Sequence, residues 1–177
     1  MKFRQKIILF SSLAIALIPV PTLATVDNKL VVTWLVFVCL CVAYAIYRRS
    51  VGEELLVALF FALVVTSYKA TVYTGNNLLI GHINVYPLIL WTAGLVALRE
   101  IYKRLRVSYR WVVVSIIYVS ALFCLEYIGY YLLGIRSAES SPSFFGLGII
   151  HGSLFIYWFY ICAGPLYLLA TDYLRVK

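Results

Sequence analysis

Successive apolar runs, each close to the length needed to cross a bilayer, dominate this 177-residue chain and leave it few folds to adopt. A helix needs about 20 apolar residues to cross roughly 30 Å of hydrocarbon. Six stretches reach or approach that length: residues 7–24, 30–47, 53–73, 78–98, 111–133 and 147–171. With 64% hydrophobic and only 12% charged residues, little of the chain is left for a soluble domain. Backbone polar groups in hydrocarbon must be satisfied within the segment, which favours helices. The expected fold is therefore all-α: a polytopic integral membrane protein, a six-helix transmembrane bundle forming a single domain over residues 1–177. The count falls to five if the first segment is a cleaved signal peptide. That segment has a basic start, a short apolar core, Pro19 and Pro21, and a small-residue site at Thr22-Leu23-Ala24, yet its apolar run is long enough for a retained anchor.

Charge sets the orientation. With the amino terminus in the cytoplasm, twelve of the fifteen Lys and Arg residues fall on the inner side: Lys2, Arg4, Lys6, Arg48, Arg49, Arg99, Lys103, Arg104, Arg106, Arg110, Arg175 and Lys177. Only Lys29 and Arg136 lie in outer loops, and Lys69 falls within a span. The asymmetry follows the positive-inside rule and predicts an integral cell (plasma) membrane protein with both termini cytoplasmic. The net charge of +8 is thereby accounted for without nucleic acid. Membrane lipids are the expected partners, with anionic headgroups at the Arg99–Arg110 segment. Cys39, Cys41, Cys124 and Cys162 show no C-x-x-C spacing and read as packing residues.

The strongly polar residues inside the spans are few: Lys69, His82, Asn84, Glu126 and His151. Counting along their helices places Lys69, His82 and His151 roughly 6 Å inside the outer ends, and Glu126 roughly 10 Å inside. Such groups face the bundle interior and find one another, because lipid tails offer no partner. Glu126, in "LFCLEYIGYYLLGIR", carries the strongest signal. Tyr130 lies one turn further along the same face. Gly148 and Gly152 flank His151 at G-x-x-x-G spacing, which turns the imidazole toward protein. In a helix His82 and Asn84 would be about 200° apart, and His82 is the preferred inward group. The stretch "YTGNNLLIGHINVYP" also permits an ordered outer loop over residues 74–86, with the fourth helix starting at Pro87. Gly164-Pro165 should loosen or kink the sixth helix.

Glu53 and Glu54 open an apolar helix in a way that is similar to integral membrane carotenoid cyclases and prenyl-protein proteases. Neither the proline-rich acidic motif nor the downstream Arg or His of those families accompanies them, so the pair is expected to favour the helix dipole and meet Arg48 or Arg49. His82, His151 and Glu126 are the residue types of a facial metal triad. Lys69 would oppose a cation there and no ligand motif is present, so neither metal nor cofactor is expected.

Three functions fit these residues. The first is an intramembrane enzyme acting on a lipid or isoprenoid-like substrate. Its catalytic set would be Glu126 as acid or base, His151 as its partner and Lys69 as the charge-neutralising group; His82, Asn84, Tyr130, Tyr127 and Trp158 would contact substrate. The second is a non-enzymatic scaffold or accessory subunit of a homo- or hetero-oligomer, held by a structural Lys69–Glu126 ion pair. The third is a proton-coupled transporter, against which stands the lack of inverted repeats.

Overall fold

Asp27 starts the first described helix: its Oδ1 accepts from the backbone N–H of Lys29 at 2.8 Å, the geometry of an N-cap. A computed structural model describes residues 27–68, 73–74, 77–136, 143–146, 148 and 154–174. The first candidate span, residues 7–24, lies outside these, as do Lys69 and His151. The described chain is mostly helical. Helix α1 covers Asn28–Tyr68, α2 Val85–Arg104, α3 Arg110–Tyr127 and α4 Leu154–Tyr173. A π-helical turn, Ile128–Leu132, prolongs α3, and a 3-10 turn covers Phe144–Gly146.

The six-span count is not what the described residues show. Three stretches are long and apolar enough to cross a bilayer: Asn28–Ile46, Val85–Arg104 and Arg110–Leu132. Residues 30–47 and 53–73, expected as two spans, are joined in the single 41-residue helix α1. A straight helix of that length would extend about 60 Å, twice the hydrocarbon thickness. Yet Lys29 Nζ donates to the carbonyl oxygen of Thr74, and Asn28 Nδ2 donates to that of Leu133 at 3.2 Å. Thr74 is only six residues beyond the helix end, a reach of at most about 22 Å. Helix α1 therefore doubles back. Tyr44 Cε2 lies 3.7 Å from the position a Cβ on Gly52 would take, whereas eight residues of straight helix separate by about 12 Å, so the bend falls between them. One arm runs from Asn28 toward the bend, and the other returns over residues 52–68.

The returning arm buries Glu54, Ala58, Ala62 and Thr66, a stripe of period four whose two alanines let α1 approach closely. Ala58 joins Leu95, Leu98 and Tyr102 of α2, Val114 and Tyr118 of α3, and Tyr167 and Leu168 of α4 in one core. Buried threonines within the helices return their hydroxyls to the preceding turn, as Thr66 and Thr171 do to the carbonyls of Ala62 and Tyr167.

Between α1 and α2 the chain forms a small hairpin, Leu79–Ile80 paired antiparallel with Ile83–Asn84. Gly81 turns it with φ 62°, a conformation that favours glycine. Helix α2 starts just after, at Val85, because Asn84 caps it: Oδ1 accepts from the Tyr86 N–H at 3.1 Å. Pro87 then sits in the first turn, where its missing N–H leaves no helix bond unmade. The start falls two residues before the expected Pro87 and seven after residue 78, and the hairpin is the ordered loop that the composition permits.

Helix α4 passes through Gly164-Pro165 without ending. Gly164 has a packing reason: a Cβ there would stand 2.8–2.9 Å from three atoms of the Tyr118 ring, whose hydroxyl donates to the Tyr160 carbonyl at 2.6 Å. Gly164→Ala is expected to lower stability by about 1–3 kcal/mol through overpacking. Gly94→Ala, whose added Cβ meets nothing within 4 Å, should leave stability unchanged or raise it by roughly 0.5–1 kcal/mol. Thermal unfolding of both variants in one detergent checks the contrast.

Candidate functional site

Two carboxylates on this fold are held in different company. Glu54, fully buried on the returning arm of α1, meets Lys103 Nζ directly and Arg99 Nε at 3.8 Å, both from α2. Arg99 also pairs with Asp172 of α4, which accepts from the Tyr102 hydroxyl at 3.1 Å. Tyr167 of α4 donates to the Glu54 carbonyl at 3.3 Å. Arg99 and Arg110 both approach the Tyr102 ring, at 5.4 and 4.5 Å from its centre. Glu54 thus meets cations of α2, while the side chains of its expected partners, Arg48 and Arg49, lie outside the described residues. Glu53 is exposed beside it.

Glu126 of α3 sits toward the opposite end. Its Oε1 accepts at 2.9 Å from the Tyr160 hydroxyl of α4. It lines a cleft of about 270 Å³ between α2 and α3, together with Tyr73, Tyr86, Trp91, Tyr130 and Tyr160. Glu126 is the one carboxylate among the described lining residues, and no Lys, Arg or His joins it there. Trp91 stands edge-on to Tyr160 with ring centres 5.0 Å apart, and Tyr73 edge-on to Tyr86 at 5.2 Å. Arg136 lies 5.0 Å from the centre of the Tyr130 ring. The π-helical turn begins two residues after Glu126, a device frequent at functional sites, and Gly129 and Tyr130 within it both line the cleft.

The cleft follows from small residues at facing positions. Gly94 and Ala97 on α2 and Ala121 on α3 line it and are exposed. Larger side chains at these positions would close the helix pair along its length. The floor is provided by Leu95, Leu98 and Tyr118 of the core.

Of the residues expected to form a site, Glu126 and Tyr130 are brought together. Asn84 is buried, but as a cap: its Nδ2 donates to Asn77 Oδ1 at 3.0 Å, and Asn77 Nδ2 donates to the Tyr73 carbonyl at 2.8 Å. Asn84 thus fixes the loop that delivers Tyr73. His82 is exposed on the hairpin turn and does not line the cleft, so it does not meet Glu126 there. Tyr127 and Trp158 are exposed outside the cleft, Tyr127 stacking on Tyr131 at 4.9 Å. Lys69 and His151 lie outside the described residues, and so does any pairing of Lys69 with Glu126. Among the described residues no group of three His, Cys, Asp or Glu side chains is disposed to hold a metal ion.

Tyr160 and Trp91 were not singled out from sequence. Tyr160 had a signal available: it lies one turn before Gly164, and a glycine in close contact marks the buried face of its helix. No protein-family model, curated protein or solved structure matches the chain.

The two carboxylates make opposite predictions. Glu54→Ala takes the nearest anion from Lys103 and leaves buried Arg99 with Asp172 alone, and should cost about 1–3 kcal/mol, partly recovered when Lys103→Met is added. Tyr160→Phe deletes one hydrogen bond and keeps the ring against Trp91, and should cost only about 1 kcal/mol. Equilibrium unfolding in detergent measures both.

Proposed function

We propose that this chain is a polytopic plasma-membrane protein, six-spanning when residues 7–24 are counted, that binds a lipid or isoprenoid-like molecule in the cleft and acts on it through Glu126. The observation that carries the reading is a lone carboxylate, hydrogen-bonded to a phenol, in an otherwise apolar and aromatic cleft of about 270 Å³. A structural clamp would be closed and packed; a cavity near the ~300 Å³ lower bound of ligand sites favours a bound molecule over a pure scaffold. The Glu54 network already supplies an internal clamp elsewhere in the fold.

Orientation follows from charge. Arg99, Lys103, Arg104, Arg106 and Arg110 cluster at the end of α2 and the start of α3, which favours that end as cytoplasmic and in contact with anionic headgroups. Both termini are then cytoplasmic and Glu126 lies in the outer half of the bilayer. The bend in α1 supports this arrangement, because it returns the chain to the same side within one helix.

Chemically, the Tyr160 hydroxyl fixes one carboxylate oxygen and leaves the other for substrate. Glu126 is positioned to take a proton from a substrate hydroxyl or to give one to a developing anion, with Tyr130 and Tyr160 as neighbouring phenols. Lys69 and His151 are the proposed charge-neutralising and proton-transfer partners. Purified protein incubated with a membrane lipid extract, with products followed by mass spectrometry, tests the reading. Glu126→Gln should abolish product formation while the unfolding temperature stays near that of the unmutated protein. Products identical in both samples would remove Glu126 from the chemistry and end the proposal.

A further inference from the structure

The cleft has a long axis, and its two ends differ. On α2 the lining positions run from Tyr86 to Ile101, and on α3 from Tyr130 back to Ile117. Fifteen helical residues span about 22 Å, so the cleft is a groove along most of the helix pair rather than a round pocket. The Ile101–Ile117 end is apolar apart from Tyr118, whose hydroxyl donates to the Tyr160 carbonyl. At the other end stand Glu126 and the phenols of Tyr73, Tyr86, Tyr130 and Tyr160. Gly94, Ala97, Ala121 and Leu125 are exposed along its side, so the groove opens laterally on the face shared by α2 and α3. A molecule can enter sideways from the hydrocarbon.

This inference rests on the reading of the cleft as a lipid site, and it names the ligand class. We infer that the groove takes a single-chain lipid alcohol, its chain lying between α2 and α3 toward Ile101 and its hydroxyl against Glu126. The head chemistry follows from the donor and acceptor inventory. One carboxylate oxygen already accepts from Tyr160, and the remaining lone pairs require a donor. The phenols of Tyr73 and Tyr86 line the same end and can donate to an acceptor in return. A hydroxyl does both. Lys69, the one cation proposed there, is matched by Glu126, so a phosphate or carboxylate head would add a negative group that no described lining residue offsets. A groove volume of about 270 Å³ is of the size of one chain.

The test uses the full-length protein in phosphatidylcholine nanodiscs and a long-chain primary alcohol carrying a diazirine near the middle of its chain. Irradiation and peptide mass spectrometry read the labelled residues. Labelling is expected on α2 and α3 around Gly94, Ala97, Ile117 and Ala121, and to be abolished by Gly94→Leu, which fills the groove without backbone strain. Unlabelled alcohol, amine, fatty acid and alkyl phosphate of equal chain length then compete. The alcohol should compete about tenfold more strongly than the acid or phosphate, a preference lost in Glu126→Gln, as expected for a buried hydrogen bond to a charged group.

Equal or stronger competition by the acid or phosphate overturns the alcohol assignment while leaving a lipid groove in place. An amine that outcompetes the alcohol overturns it in favour of an ammonium head. If labelling is absent from α2 and α3, or survives Gly94→Leu unchanged, the groove is not a lipid site and the parent reading fails with it.

Discussion

The buried Glu54 carboxylate is the interaction on which this arrangement of helices turns. It sits on the returning arm of α1, its cationic partners Lys103 and Arg99 belong to α2, and Arg99 passes the connection on to Asp172 of α4. Arg99 is buried and makes both contacts, so its removal leaves Glu54 with Lys103 alone and detaches Asp172 of α4 from the network. With that end fixed, the rise of each helix determines what meets at the other. Glu126, Tyr86, Tyr130 and Tyr160 arrive together there, and Tyr73 is delivered by the loop that Asn77 and Asn84 clip. The candidate site is thus set at a distance by a salt-bridge network that shares no residue with it.

Packing then decides where the molecule is closed and where it is open. Alanines at 58 and 62 draw α1 against α2, and the absent side chain of Gly164 admits the Tyr118 ring between α3 and α4. Gly94, Ala97 and Ala121 are equally small, but among the described residues no neighbouring element fills the space beside them. Small residues therefore serve opposite ends on this fold. In contact with a partner they tighten a seam, and without one they leave a groove.

Much of this was legible from residue types and spacing. Counting depth along the helices put Glu126 and Tyr130 on one face near the outer end, and both line the cleft. Composition alone marked the helical class and the long apolar stretches. What could not be read was set by tertiary contact or by turn chemistry. A helix over residues 78–98 would turn His82 inward, but Gly81 makes a hairpin there and leaves His82 exposed and Asn84 buried. Tyr160 lies in a helix apolar on all sides, so periodicity carries no information about which face is inside. The partners of Glu54 are distant in sequence, although Arg99 and Lys103 at i and i+4 did announce a basic face on α2. The joining of two expected spans into one bent helix was equally hidden, since Arg48-Arg49-Ser50 looks the same as a short loop or as a bend.

The contrast between the two acids also bears on why Glu126 is present. Insertion scales set the cost of an acid at the centre of a membrane helix at about 2.5–3.5 kcal/mol. Glu54 meets that cost with two cations. At Glu126 the described return is one hydrogen bond from a phenol, worth about 1.5–3 kcal/mol to an ionised carboxylate, so within this set of contacts the residue at best offsets its own cost. An apolar side chain packed into the same groove would cost nothing of the kind and would bury more surface. A group that gains the fold nothing, beside a π-helical turn and at the polar end of an open groove, is what a binding or proton-transfer role requires. A Lys69–Glu126 pair would pass that role from the carboxylate to the pair. The groove would remain, with its polar end then presenting both a donor and an acceptor to whatever enters it.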